Sequence, residues 1–172
     1  MHFNFYINTL MPEINYLQAY PENIRQQVQV LFDEKKLEDY INKKYPTHHG
    51  VVNDKLLREY VLEIKNQYIK KSSPLSKIIF DPKIHVINHA LGLHSFVNRK
   101  QGNKIKSKNE IRISHIFKKC PEPFLNMIVV HELAHLKEKE HNKAFYQLCQ
   151  NMLPDYFQLE FDMRCFLNLV KL

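Results

Sequence analysis

The sequence has no tryptophan, only three glycines and three cysteines in 172 residues, and no long apolar run. Each shortage closes off a class of protein. Glycines at Gly50, Gly92 and Gly102 alone leave no place for a GxxxxGK[ST] phosphate loop and little room for flexible linkers. Cys120, Cys149 and Cys165 form an odd, widely spaced set without a CxxC pair. No disulfide framework is therefore expected, and a reducing compartment, the cytoplasm, is. No stretch reaches the roughly 18 apolar residues that a membrane helix needs, so no membrane partner is expected. The opening MHFNFYINTLMPEIN lacks the basic start and small-residue cleavage site of a signal peptide. Asp and Glu are scattered rather than clustered, which gives magnesium no carboxylate cage.

What is present describes a folded protein. A hydrophobic fraction of 44% with 12% aromatics supports a core, and the length is short for two domains, so residues 1–172 read as one. A net charge of +7 and a pI near 9.2 permit binding to a polyanion without requiring it.

The most informative stretch is His131-Glu132-Leu133-Ala134-His135. Histidines four apart on a helix lie about 40° apart around its axis and share a face. Two imidazole nitrogens so placed can bind one zinc ion at about 2.0–2.1 Å. Glu132 is turned off that direction, poorly aimed for a ligand but able to reach a metal-activated water as general base. In a chain with ten histidines an HExxH arises by chance roughly once in twenty-five sequences, so its surroundings decide. Residues 124–136 are apolar on nearly every side, which marks a buried helix. Buried histidines and a buried glutamate need partners, and a metal supplies one for all three.

His141 is the nearest third ligand, but spacing leaves it open. On a continuous helix it would point about 120° away from the pair. It joins them only if the helix stops near Lys137 and the chain turns back through Lys137-Glu138-Lys139-Glu140, which holds no Gly or Pro to force a turn. Otherwise it is a solvated loop histidine. A new helix is expected from Asn142 to Met152, with Ala144, Phe145, Leu148 and Met152 on one face.

The stretch from Glu110 to Tyr156, EIRISHIFKKCPEPFLNMIVVHELAHLKEKEHNKAFYQLCQNMLPDY, closely resembles the YgjP-like metallopeptidase domain, a relative of the SprT-like and WLM zinc peptidases. The resembling features are a strand ending in IRIS, a proline-led helix carrying HELAHL, and a histidine followed by K-x-F. The likeness extends upstream through YLQAYP at 16–21, the Lys55–Tyr60 helix and ALGLHSFVNRKQGNKIKSKNEIRIS at 90–114. It implies one zinc ion held by His131, His135 and His141, with Glu132 as the base and a peptide or protein as substrate. Many members of the wider family carry a Trp-Gly-Ser-Cys-like segment before the IRIS strand; here Leu93-His94-Ser95-Phe96 stands near that place.

The implied fold is α+β and zincin-like: a small antiparallel β-sheet packed against the buried HExxH helix, with an N-terminal helical layer. Residues 1–75 supply that layer, with helices expected over 21–33, on to about Tyr45, and from Lys55 to Lys71, the last capped by Asn53 or Asp54. Thr47-His48-His49-Gly50 reads as a solvated loop. Residues 76–172 supply the sheet and the metal helices. Lys77–Phe80 and Ile84–Ile87 are β-rich runs around an Asp81-Pro82-Lys83 turn, and Ser95–Asn98 is expected to pair with Glu110–Ser114. Phe157, Leu159 and Phe161 alternate as in a strand before a helical pattern sets in at Met163.

Arg99, Lys100, Lys104, Lys106 and Lys108 crowd positive charge into the connection before Glu110. They suit a nucleic acid or nucleotide partner, or simply keep an exposed hairpin soluble. No aromatic residue interleaves that run after Phe96, so no base-stacking platform is read there. Arg112, Tyr146, Tyr156 and His94 are candidates for contacting substrate or a developing oxyanion. Three functions compete on these residues: a zinc metallopeptidase, a UTP pyrophosphatase (a label that proteins of this resemblance have carried), and a binding module in which zinc only holds the fold.

Overall fold

The computed structural model describes residues 15–84, 92–101 and 104–170, the strand residues 92–101 and 104–108 through their backbone only. Pro21 leads α1 (Glu22–Asp33), and Pro46 follows α2 (Leu37–Lys44), as proline's missing N–H and restricted φ dictate. Between them Lys35 takes the left-handed conformation at φ 58°, the place where a glycine usually ends a helix. In a glycine-poor chain a lysine fills it. Helix α3 (Asp54–Tyr68) is capped by Asn53, whose side chain accepts the Leu56 N–H at 3.0 Å. The neighbouring Asp54 carboxylate accepts the Phe80 N–H at 2.9 Å, tying the start of α3 to the first strand.

Three strands form the sheet: β1 (Leu75–Asp81), β2 (Gly92–Gln101) and β3 (Lys104–Ser114), in the order β1-β3-β2. The all-antiparallel sheet expected from the sequence is corrected here. β2 and β3 are antiparallel, with Ser95 opposite Glu110 and Phe96 opposite Asn109, but β1 runs parallel to β3, Ile78 beside Ile111 and Phe80 beside Ile113. Sequence neighbours usually pair directly. Here β3 sits between β1 and β2, so β1 pairs not with the next strand in the chain but with the one after it, and parallel. Ile84 lies in the turn after β1, its N–H bonded to the Asp81 carbonyl, while the rest of the expected Ile84–Ile87 run, with His85 and His89, lies outside the described residues.

The basic run is not a loop. Pairing continues out to Gln101 opposite Lys104, so residues 99–101 and 104–108 lie on the two arms of the β2–β3 ribbon. Alternation along the strands puts positions 99, 104, 106 and 108 on one face of that ribbon and 100 on the other.

Beyond the sheet come a 3-10 turn at His115–Lys119, then α4 (Glu122–Ala134), α5 (Lys143–Met152) and α6 (Tyr156–Leu167). The alternating Phe157-Leu159-Phe161 is helical from Tyr156 onward, a second correction. Tyr156, Leu159, Met163 and Leu167 recur at helical spacing and are buried, whereas Phe157 is 48% exposed, so period 3.6 outweighs the aromatic alternation. Of the N-terminal helices, α3 packs on β1, while α2 packs on α6 rather than on the sheet. Nor is the His48-His49 loop simply solvated. His49 Nδ1 accepts the Val51 N–H, leaving Nε2–H to donate to the Phe117 carbonyl at 2.8 Å, and the Thr47 carbonyl accepts the Glu122 N–H. That loop pins the start of α4.

The join between α2 and α6 is polar. Asp162, fully buried, accepts from the Tyr45 hydroxyl and the Lys44 ammonium, each at 2.6 Å, and from the Gln158 amide at 3.0 Å. The Tyr40 hydroxyl also reaches it at 3.5 Å, so removing the carboxylate leaves four donors around a hole and forfeits charge-assisted hydrogen bonds. Asp162→Ala is expected to cost about 3 kcal/mol of stability, measured by urea unfolding, with Asp162→Asn costing less.

Candidate metal centre

Helix α4 is apolar almost all round. Pro121 and Glu122 begin it, and nine of its thirteen residues are buried, among them Leu125, Val129, Leu133 and Glu132. It ends at Ala134, with His135 as its cap, one turn sooner than the sequence pattern suggests. Leu136, Lys137 and Glu138 bend away through hydrogen bonds to the Leu133 and Ala134 carbonyls. The reversal needs no glycine, because Lys35 is the only non-glycine with positive φ among the described residues. Asn142 restarts the helix, its side chain accepting the Phe145 N–H at 2.9 Å. This cap brings the chain back across the end of α4 with His141 just ahead of it.

The result is a convergence of three imidazoles. His141 Nε2 lies 3.2 Å from His131 Nε2 and 3.2 Å from His135 Nε2. Among the described residues this is the one cluster of three or more His, Cys, Asp or Glu side chains able to share an ion. Tetrahedral bonds of 2.0–2.1 Å to zinc would space their nitrogens roughly 3.3–3.4 Å apart, close to the spacing found. Proton placement points the same way. His135 Nδ1 faces the Glu138 carbonyl at 3.0 Å, an acceptor only, so Nδ1 carries the hydrogen and Nε2 presents a lone pair. His131 Nδ1 is 2.7 Å from the Tyr156 hydroxyl, which is also hydrogen-bonded to the Cys149 thiol. With Nδ1–H donating to Tyr156, His131 Nε2 is likewise bare. His141 Nε2 faces both bare nitrogens, a cation between the three would be bound by all of them, and the donor set suits zinc.

Aromatic packing holds the triad. The buried Phe145 ring lies 5.0, 4.6 and 4.8 Å from the rings of His131, His135 and His141 respectively. Burial above all, with smaller electrostatic contributions from His135, His141 and Arg164, lowers the His131 pKa to about 3. Burial also lowers that of His135, against the pull of the Glu138 carbonyl. Glu132 is 3% exposed, on the helix turn between the two histidines.

The remaining candidates fall in different places. Tyr156 is fully buried with its hydroxyl against His131 Nδ1, on the far side of the ring from Nε2; it orients a histidine rather than facing substrate. Arg112 is engaged on the sheet, its guanidinium 3.0 Å from both Asp81 and Glu110 carboxylates. Tyr146 lies beside His141, ring centroids 6.3 Å apart. His94 is on β2 opposite Ile111, its side chain outside the described set, as are those of Arg99, Lys100, Lys104, Lys106 and Lys108. Sequence reading missed Phe145 as the floor of the triad and Phe157 beside Tyr146. The K-A-F after Asn142 signalled only a helical face.

The family pattern for the YgjP-like metallopeptidase domain matches residues 17–164. The chain belongs to that family. Within it, the chain is similar to the UTP pyrophosphatase of Escherichia coli (strain K12), 53% identical over 162 residues that span 94% of this chain and 97% of the relative. No solved structure matches the chain. This YgjP-like domain has no helix among its described residues long and apolar enough to cross a membrane.

Two outcomes are expected. Partners behind a ligating histidine tune metal affinity by about 10- to 100-fold when removed, so Tyr156→Phe should weaken zinc binding at least tenfold in a chelator competition while leaving circular dichroism unchanged. The His131 pKa of about 3 in the fold lies below the 6.5 of a free histidine, so between these values the unfolded chain holds a proton that the folded one does not. Stability of the metal-free protein is then complete above about pH 6.5 and falls on acidification. Urea unfolding at pH 5 should show a loss of about 1–2 kcal/mol relative to pH 7, reduced in His131→Asn.

Proposed function

We propose that the chain is a zinc-dependent hydrolase working through His131, His135, His141 and Glu132, and that its substrate is UTP. The observation that carries the hydrolase reading is the approach of His141 Nε2 to within 3.2 Å of the Nε2 atoms of His131 and His135, at the end of the helix that carries a buried Glu132. The substrate follows from the near full-length likeness to a protein named UTP pyrophosphatase.

Three neutral imidazoles are the residues that would hold the ion, and Tyr156 and the Glu138 carbonyl keep their rings in the ligating tautomer. Zinc bound there would lower the pKa of a water toward about 7 and polarise a substrate oxygen. Glu132 accepts the proton of that water as its oxygen attacks phosphorus. The phosphoanhydride P–O bond breaks, the leaving phosphate takes the bonding pair, and Glu132 returns the proton to the leaving group or to solvent. Magnesium needs no carboxylate cage from the protein for this substrate, because it binds largely through phosphates and water. The ribbon positions 99, 104, 106 and 108 on one face offer positive charge to a polyphosphate.

A second reading, peptide hydrolysis, is favoured by the family's metallopeptidase description and by the place of β2. That strand is outermost in the described sheet and packs against α4. An extended peptide could add to such an edge through backbone hydrogen bonds, and the same water and Glu132 would then act on a carbonyl. A zinc ion that serves only the fold would make no use of Glu132 as a general base.

The test compares zinc-loaded wild type with Glu132→Gln at equal metal content, against UTP and against an unfolded protein substrate read by mass spectrometry. The expected result is UTP hydrolysis by the wild type and a loss of at least about 100-fold in kcat in the variant. Cleavage of the protein substrate alone would replace the first reading by the second. Full activity in Glu132→Gln would remove Glu132 from the mechanism.

A further inference from the structure

Phe157 is a large apolar side chain left 48% exposed, on a helix that buries Tyr156, Leu159 and Met163. A single exposed phenylalanine would call for no explanation, but this one belongs to a row. Its ring lies 5.3 Å from Tyr146 with the planes 35° apart, and Tyr146 lies 6.3 Å from His141 at a 37° tilt. Tyr156 meets Phe157 edge-on at 5.6 Å and fixes it from the buried side. Two rings therefore lead from a candidate metal ligand out to solvent. The Tyr146 hydroxyl makes no hydrogen bond among the described residues, although burial raises its pKa.

We propose that Tyr146 and Phe157 form a stacking platform for the uracil ring of UTP, with the phosphates reaching back to the histidine triad. The proposal rests on the UTP reading above and names the part of the site that would hold the base. A flat π-face beside aromatic rings stacks without demanding particular hydrogen bonds, and the Tyr146 hydroxyl is available to a ribose or phosphate oxygen. Such a platform separates base recognition, on α5 and α6, from the reacting end at α4.

The chain has no tryptophan, so Phe157→Trp introduces a single indole at the platform that can be excited apart from the tyrosines. Zinc-loaded F157W is titrated with UTP, UMP and inorganic tripolyphosphate, and kinetics are measured in parallel for F157A. Saturable quenching by UTP and UMP but not by tripolyphosphate is expected. F157A should raise KM for UTP by roughly 10- to 100-fold with a much smaller change in kcat, whereas F157W, which keeps a π-face, should raise it less. Equal responses to tripolyphosphate and UTP, or no quenching by UTP, overturn the platform. The two readings fail separately. If the wild type hydrolyses UTP and F157A keeps its KM, the platform is wrong and the substrate right. If UTP and UMP quench F157W but the wild type does not turn UTP over, the platform stands as a base-binding site and the hydrolysis of UTP falls.

Discussion

Three imidazole nitrogens converge on one point, and much of the surrounding structure serves to keep them there. Two of the rings ride on α4, whose burial on nearly every side leaves it little freedom to rotate. The third arrives on the return stroke after His135, held by the Asn142 cap. Phe145 then presses against all three. A cation between the three would be bound by all of them, so the arrangement makes sense mainly as a site prepared for one. Tyr156 and the Glu138 carbonyl complete the preparation by fixing which nitrogen carries the proton.

Around that centre the helices and the sheet contribute different things. The α2–α6 join through Asp162 and the pinning of α4 by the Thr47–Val51 loop hold the helices around the histidine triad in register with the N-terminal layer. The sheet contributes an outer strand next to α4 and a ribbon whose charge is concentrated on one face. In the proposed mechanism the triad and Glu132 carry hydrolysis for either substrate. Choice of substrate must come from what lies around them, which is why one constellation fits both a family described as peptidases and a close relative named for UTP.

Some of the site was legible in the residues. HELAH inside an apolar stretch announced a buried helix with two histidines on one face, and α4 is that helix. Helices α1, α2, α3 and α5 also lie within a few residues of where proline, caps and period 3.6 put them. His141 was undecided by spacing alone, since its direction depends on where α4 stops, and no glycine or proline marks that point. The parallel pairing of β1 with β3 was illegible for a related reason: local pattern identifies strands, whereas the order of strands is a property of the whole sheet. The aromatic alternation after Tyr156 misled because burial, not spacing of bulky residues, decides between helix and strand there.

By itself, then, the sequence determined the chemistry on offer. It set the residue types, the helical spacing that pairs His131 with His135, and the absence of a glycine phosphate loop or a disulfide framework, because these depend only on local covalent order. Tertiary structure alone decided that His141 completes the triad, that Phe145 supports it, that Tyr156 stands behind His131 and that Phe157 and Tyr146 lie together beside it. Those contacts join residues that lie on different helices or across a chain reversal. Their distances follow from how buried faces pack, a quantity no local stretch of sequence contains.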